Sequence, residues 1–395
     1  MPTQIGIGFS RDPDIEKAAA QAALEAKTSA QAQRIDFALL LSTIHYNPVK
    51  TLPIISKILN TKKLIGSSTA GIILSDSIET RGLAVLALSS PDIKFGIGSV
   101  ANINPRDMHS SGTILAKNSV ADFGKHGRQI FIFFTNGLLP NNSALLKGVQ
   151  EVLGNVFPIV GAGSCDDFSF KETFQIFENR ILKNSASGLI LGGHVNVGVG
   201  GRHGWHPLGR PRVLTKVNNN IIVTIDGKMA SSLYEEFFAE EAQKLYSTQL
   251  ARMAILYPLG IYIEESSEYL LRNAIDILPD GSIVCQGEVP EGARVHIMIG
   301  SKDSCKEAAK EAALEAHKNL LGKKANLIFV IESMARLKLL GRSAFNEIKE
   351  IKEVFGPDTP LIGMYAYGEI CPFQSIEPIK KPYLQNESIV VLAIG

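Results

Sequence analysis

The sequence is short of several things, and each shortage removes a class of protein. Four cysteines in 395 residues (Cys165, Cys285, Cys305 and Cys371) are too few and too far apart for a disulfide framework. No CxxC pair occurs, which excludes a sequence-local zinc or redox motif. A reduced, cytoplasmic compartment is the expectation. Charge of one sign is missing too: 40 Lys+Arg against 39 Asp+Glu leave a net charge of +1. Proteins that bind polyanions usually carry a basic excess, so nucleic acid is not an expected partner. No apolar run approaches the ~20 residues needed to span a bilayer. The longest, Leu189–Gly201, is broken by Gly192, Gly193, His194 and Asn196. Met1–Ser10 has no basic n-region and acidic residues follow at once, so it does not read as a signal peptide. Low-complexity tracts and Pro- or Ser/Gly-rich linkers are absent.

What remains is 45% hydrophobic and 20% charged, enough to bury large cores. At roughly 150 residues per domain the length predicts two or three domains. The 35 glycines are the one unusual count.

A strand–helix–strand pattern recurs. Phe37–Thr43, a helix from Pro48 to about Leu59 and Lys63–Gly66 form one unit. Ile130–Thr135, a helix near Ser143–Leu153 and Pro158–Gly161 form a second. Leu327–Ile331, a helix near Ser343–Phe355 and Pro360–Gly363 form a third. Parallel strands need a crossover of this length, and near-continuous apolar strands suggest sheets covered on both faces. Ile5–Phe9 reads as a strand before an alanine-rich helix capped by Asp12-Pro13-Asp14. Gly82–Ser89 with Lys94–Val100, and Phe174–Phe177 with Ala186–Gly200, read as paired strands around turns. So do Val213–Val217 with Ile221–Ile225, and Leu270–Leu278 with Ser282–Glu288. Ser301 caps a helix whose stripe is Cys305, Ala308, Ala309, Ala312, Ala313, Ala316 and Leu320. The expected fold is α/β: two domains with mixed β-sheets flanked by helices, containing repeated strand–helix–strand units. The boundary is drawn at 1–235 (core 36–235) and 236–395 (core 250–376).

Each unit runs into a glycine followed by a small or polar segment: Gly66–Gly71, Gly161–Asp167 and Gly363–Glu369. Ligands of open α/β sheets sit outside the carboxyl ends of strands, and glycine lets backbone approach them. These segments nominate Ser67, Ser68, Thr69, Gly163 and Asp166, with Asn136 facing the same edge. Tyr365, Tyr367 and Glu369 alternate along an extended stretch, so two phenols and a carboxylate share one face and could neutralise a ligand amine. Arg336, just past a strand, could meet a ligand carboxylate bidentately, or pair with Glu369. The plain structural reading is a set of tight turns and a core tyrosine pair.

The ordered set GSSTAG, TNGL at Thr135–Leu138, GAGSCDD with Thr173 and Gln175 downstream, and HGWHPLG at His203–Gly209 resembles the FIST N domain. ILPDGSIVCQGEVPEG at Ile277–Gly292, SMAR at Ser333–Arg336 and IGMYAYGEICP at Ile362–Pro372 resemble the FIST C domain. The resemblance runs from about residue 36 to 376. It implies a sensory, signal-transduction protein that binds a small ligand, an amino acid or related carboxylate, and acts on a signalling protein partner. The form resembled is the stand-alone bacterial one, without an F-box or kinase-like tail. Members often have Cys where Met334 stands, so no thiol role is expected there. No cofactor is expected. Some members bind haem and sense nitric oxide, which keeps a haem sensor as one alternative. A hydrolase of unknown substrate is the other. His203, Trp205 and His206, with His194 nearby, are the histidine cluster a haem or metal would need, but lack a third local ligand. The candidate nucleophiles, Ser67, Ser68, Thr69, Ser164 and Cys165, sit in no GxSxG elbow.

Overall fold

A computed structural model describes residues 3–245, 256–263, 268–372 and 381–395. Its organising feature is a threefold repeat. The first repeat supplies strands Gln4–Ser10, Phe37–Thr43, Leu64–Thr69 and Leu83–Ser89, with helices Ile15–Ala30 and Pro48–Leu59 between them. The second supplies Ile93–Val100, Arg128–Asn136, Ile159–Ser164 and Ala186–Gly193, with helices Met108–Phe123 and Asn142–Leu153. The third supplies Val197–Arg202, Leu327–Ser333, Leu361–Ala366 and Ile389–Ile394, with helices Lys302–Asn319, Met334–Leu340 and Phe345–Phe355. Each repeat forms four strands of a six-stranded sheet in the same order: first, fourth, second, third. The second and third strands are parallel in every repeat. Equivalent bonds recur: Thr43 N–H to Gly82 O (3.0 Å), Asn136 N–H to Ser185 O (3.2 Å) and Ser333 N–H to Ser388 O (2.8 Å).

The last two strands of each sheet come from another repeat. The hairpin Gln175–Phe177/Arg180–Leu182 completes the first sheet, Glu369–Pro372/Pro382–Gln385 the second, and Ile72–Leu74/Ile78–Glu79 the third. This cyclic exchange ties the three repeats together. Their inner faces build one apolar core, with Leu39, Ile132 and Phe329 from different sheets in the same cluster. Helices cover the outer faces. The described residues between Trp205 and Gly300 are an insertion in the third repeat, carrying a separate sheet with its own core.

Several sequence expectations are corrected. Leu83–Ser89 and Ile93–Val100 do not pair with each other: the first lies between Gln4–Ser10 and Phe37–Thr43, the second at an edge of the next sheet. Likewise Gln175–Phe177 pairs with Arg180–Leu182 and Leu64–Thr69, while Ala186–Gly193 and Val197–Arg202 belong to different sheets. The turns at Pro91-Asp92 and after Gly193 mark passages between repeats, because strands apolar on both faces can be satisfied only inside a covered sheet. The helix cap is Asp14, whose carboxylate accepts from Glu16 N–H and Lys17 N–H, so Pro13 precedes the cap. The hairpin around Asn218-Asn219-Asn220 and the Ser301 capping box stand as expected.

Glycine has a structural assignment the sequence did not suggest. Gly66, Gly161 and Gly363 lie inside strands that run three residues further, to Thr69, Ser164 and Ala366. The first strands carry Gly-x-Gly at Gly6/Gly8, Gly96/Gly98 and Gly198/Gly200, each pressed against a helix. A Cβ on Gly6 would stand 1.9 Å from Ala26 O, and on Gly198 1.9 Å from Ala316 O. In the first and third repeats glycine on the strand and alanine on the helix let the two backbones approach this closely; in the second, Gly96 and Gly98 face Phe123 and Ser119. Gly198→Ala is therefore expected to destabilise by about 1–3 kcal/mol through overpacking. Gly127→Ala, with open space at its Cβ position, should stay within about 0.5 kcal/mol. Urea midpoints compare them, and equal midpoints would refute the packing argument.

Candidate functional site

The third strands of the repeats end together. Ser67 Oγ and Ser164 Oγ are 2.6 Å apart. Thr69 Oγ1 donates to Tyr365 O at 2.8 Å. Ala70 N–H donates to Cys165 Sγ at 3.1 Å, and the Cys165 thiol donates to Tyr365 O at 2.9 Å. Gly163 and the Tyr367–Gly368 turn exchange backbone bonds of 2.8 and 2.9 Å. A Cβ on Gly163 would lie 2.2 Å from Tyr367 O, which is why glycine stands there. The three segments are thus in direct contact.

Most nominated side chains are consumed by this packing. Ser68 Oγ accepts from Phe174 N–H at 3.2 Å. Asn136 Oδ1 accepts from Leu138 N–H and Thr173 Oγ1, and its amide donates to Asn184. Asp166 is buried and accepts from Ser169 Oγ, the N–H groups of Phe170, Lys171 and Glu172, and the Tyr367 hydroxyl at 2.6 Å. Burial acts to raise its pKa, but the Tyr367 hydroxyl and the backbone donors outweigh it, and the carboxyl lies below its ordinary range.

Arg336 is not placed to meet a ligand. It sits in helix Met334–Leu340 with no exposed surface. Its guanidinium donates to the carbonyls of His203, Glu387 and Cys305, pairs with Glu347, stands 3.8 Å from Glu332 and packs on the Trp205 ring. The carboxylates here outnumber it: Glu332, Glu347, Glu369 and Glu387 are all fully buried. The expected Tyr365–Tyr367–Glu369 face does not form either. The strand ends at Ala366, Gly368 turns with φ +92°, and Glu369 opens a strand in the second sheet, opposite Ala162. Glu369 Oε2 accepts from Ser388 N–H and Oγ. Burial pushes its pKa up to about 8, against the pull of the Ser388 donors. Burial also lifts Glu332, Glu387 and the Tyr365 phenol well above their ordinary values.

A cavity of about 330 Å³ opens beside this cluster. Five segments wall it: Gly137–Leu139, the loop with Phe168 and Phe170, Asn273–Ile275 with Gln286 from the inserted sheet, Ser333–Ala335, and Ala366–Gly368. Of the ten nominated residues, Tyr367 lines it and the others stand behind the wall. Among the described lining residues none is charged, and none is histidine or cysteine. Phe168 and Phe170 hold left-handed backbone, φ 72° and 53°, a conformation that bulky residues rarely adopt. Phe170 stacks on Tyr367 at 4.7 Å, and the donors that Asp166 accepts hold the loop in place. Aromatic residues following GAGSCDD were the only local signal for this lip. Asn273 carried none, and although Gln286 lies in the ILPDGSIVCQGEVPEG motif nothing local placed it at a cavity, since both arrive from an insertion.

The histidine cluster lies elsewhere. His203 is buried, its Nδ1 accepts from Trp205 N–H at 2.9 Å, and burial together with the nearby Arg336 charge lowers its pKa to about 3, leaving it neutral. It lines a separate cleft with His206, Glu268 and Glu311. No group of three or more metal-ligating residues occurs among the described residues. No described helix is long and apolar enough to cross a membrane.

Sequence comparison gives the class. Residues 36–228 match the FIST N domain and residues 230–372 the FIST C domain, so the chain belongs to the FIST family. Its α/β fold, with mixed sheets flanked by helices, accompanies both family domains. The junction at 228–230 falls in the inserted sheet, so the third repeat begins in the N part and ends in the C part. An uncharacterized protein of Mycobacterium tuberculosis (strain H37Rv) is 24% identical over 384 residues, covering 93% of this chain and 95% of that one. An uncharacterized protein of Methanocaldococcus jannaschii is 25% identical over 218 residues, covering 51% of this chain and 40% of that one. Among solved structures, a cyanuric acid hydrolase from A. caulinodans aligns over 99% of both chains at 8% identity, with a TM-score of 0.40.

Proposed function

We propose that this protein is a sensor whose small ligand occupies the 330 Å³ cavity at the shared strand ends. The observation that carries this reading is the lip. Two phenylalanines in left-handed conformation cost on the order of 1–3 kcal/mol each, and such strain collects at ligand clamps. Around them the wall is apolar and aromatic, with a few polar groups, as small-molecule sites are. The wall joins the second repeat, the third repeat and the inserted sheet, so an occupant bridges elements on both sides of the family-domain junction. A change in their relative position is the signal a protein partner would read.

The lining revises the expected ligand. A carboxylate here would meet no cation among the described wall residues, because Arg336 is sealed behind them. An uncharged ligand fits better than a free amino acid. The haem reading is less favoured at this cavity, since the described wall residues include no histidine or cysteine and the Tyr367 hydroxyl is committed to Asp166. The hydrolase reading draws no support from two of its candidate nucleophiles: Ser67 and Ser164 bond to each other, and Ser164 accepts from the Gln175 amide.

A thermal-shift screen of uncharged aromatics, amino acids and haem tests the proposal. An uncharged aromatic at 100 times its Kd should stabilise by about 2.7 kcal/mol. Ile275→Trp, at a half-exposed lining position, should remove that shift. Stabilisation by none of them, or equal stabilisation of Ile275→Trp, would sink the reading.

A further inference from the structure

We infer that a second site takes a monocarboxylate with an apolar body, its head group on the open end of the Arg272 guanidinium. The site is a cavity of about 800 Å³ between helix Asn142–Leu153, the inserted sheet and the hairpin strand Pro382–Gln385. No described residue lines both this cavity and the one of 330 Å³. Arg272 ends the inserted strand Tyr269–Arg272 and is 3% exposed. Its Nε donates to Glu288 O, and its Nη1 to Leu271 O and Leu384 O, each at 2.9 Å. These three bonds fix the guanidinium. Nη2 bonds to no described residue and is not sealed, so it keeps accessible surface. Arg272 lines this cavity, and Nη2 is its open end.

Arg272 also lacks a counter-charge: it forms no ion pair among the described residues. Glu288, the carboxylate whose charge acts on it, is engaged by Lys147 and Asn141. Glu291, also in the wall, accepts from Val217 N–H at 2.9 Å. Burial lowers the pKa of Arg272 to about 10, which leaves it charged at neutral pH. A buried charge without a partner is unfavourable, and an anion at Nη2 supplies one. The rest of the lining sets the class. Leu146, Leu270, Val289, Pro290 and Leu384 give an apolar wall for a body of several carbons. One open nitrogen suits one carboxylate. A phosphate dianion asks for more donors and meets Glu288 and Glu291 as like charges. An α-amino group would set a second cation beside Arg272, so a free amino acid fits less well.

The test uses the full chain with octanoate and octanamide, which match in length and differ in charge. Calorimetry on the unaltered protein should give octanoate about tenfold tighter binding. Val217→Trp, at a part-exposed position of this wall, should abolish octanoate binding. Val217→Phe takes its place if the larger ring prevents folding. In Arg272→Met the preference for octanoate over octanamide should fall to about one. Equal affinities in the unaltered protein, no binding of octanoate, or octanoate binding that survives the block at Val217 would each overturn the inference. The two compounds and the Val217 block decide the matter even if Arg272→Met does not fold.

Discussion

Replacing Arg336 with methionine is expected to leave little or no folded protein. The side chain is fully buried and is the cation among Glu332, Glu347, Glu369 and Glu387. Removing one partner of a buried ion pair costs about 3–5 kcal/mol, because the remaining carboxylate is stranded in a low dielectric. The carbonyls of His203, Glu387 and Cys305 lose their donors as well, at about 1 kcal/mol each. Against a total stability of roughly 5–15 kcal/mol, that is most of what a domain has. Soluble yield and the urea midpoint measure it. The double change Arg336→Met with Glu347→Leu should recover part of the loss, since an apolar replacement of the whole pair strands no charge. An Arg336→Met protein within about 1 kcal/mol of the original would refute the claim that this residue organises the cluster.

Stability is expected to fall as pH rises from about 4.5 to about 8, and Glu369 is expected to account for much of the slope. Its pKa is raised by burial from 4.5 to about 8. Between those values the folded protein holds a proton that the unfolded chain has released. Raising the pH therefore favours unfolding, until the folded carboxyl also ionises. Below pH 4.5 both states are protonated and the group contributes no slope. The full shift corresponds to about 5 kcal/mol. Glu332 and Glu387 are displaced in the same direction, so they add slope of the same sign. Glu369→Gln keeps the shape and removes the ionisation. Urea midpoints at pH 5 and pH 8.5 should therefore differ less in the variant than in the original, with the variant the more stable at the higher pH. Parallel pH profiles would show that Glu369 does not titrate in this way.

The parts of the fold legible in the sequence were those set within one repeat. Phe37–Thr43, Arg128–Asn136 and Leu327–Ser333 are apolar on both faces, followed by a helix of suitable length and a second short strand. Periodicity and spacing suffice for that, because both strands and the crossover are local. Pairings over long sequence separations did not show. Nothing in Gln175–Phe177 says that it pairs with Leu64–Thr69, over a hundred residues earlier. The glycines illustrate the same limit. Gly66, Gly161 and Gly363 looked like loop residues because a glycine before small polar residues suits a turn. They prove to be strand positions against the carbonyls of Leu40, Phe133 and Val330. The candidate site was legible as a region only. GSSTAG, GAGSCDD and MYAYGE do meet, yet a sequence cannot say which polar side chains face a cavity and which are used to join repeats.

By itself, then, the sequence determined the α/β class, the strand–helix–strand units and the family, because local periodicity and ordered motifs carry them. Only the tertiary structure decided that the units form a threefold repeat with exchanged hairpins, that Arg336 is sealed among carboxylates, and that Phe168, Phe170 and Tyr367 line one cavity. Each of those depends on which distant segment covers a given face, and burial turns a surface charge into a structural element only once that covering is in place.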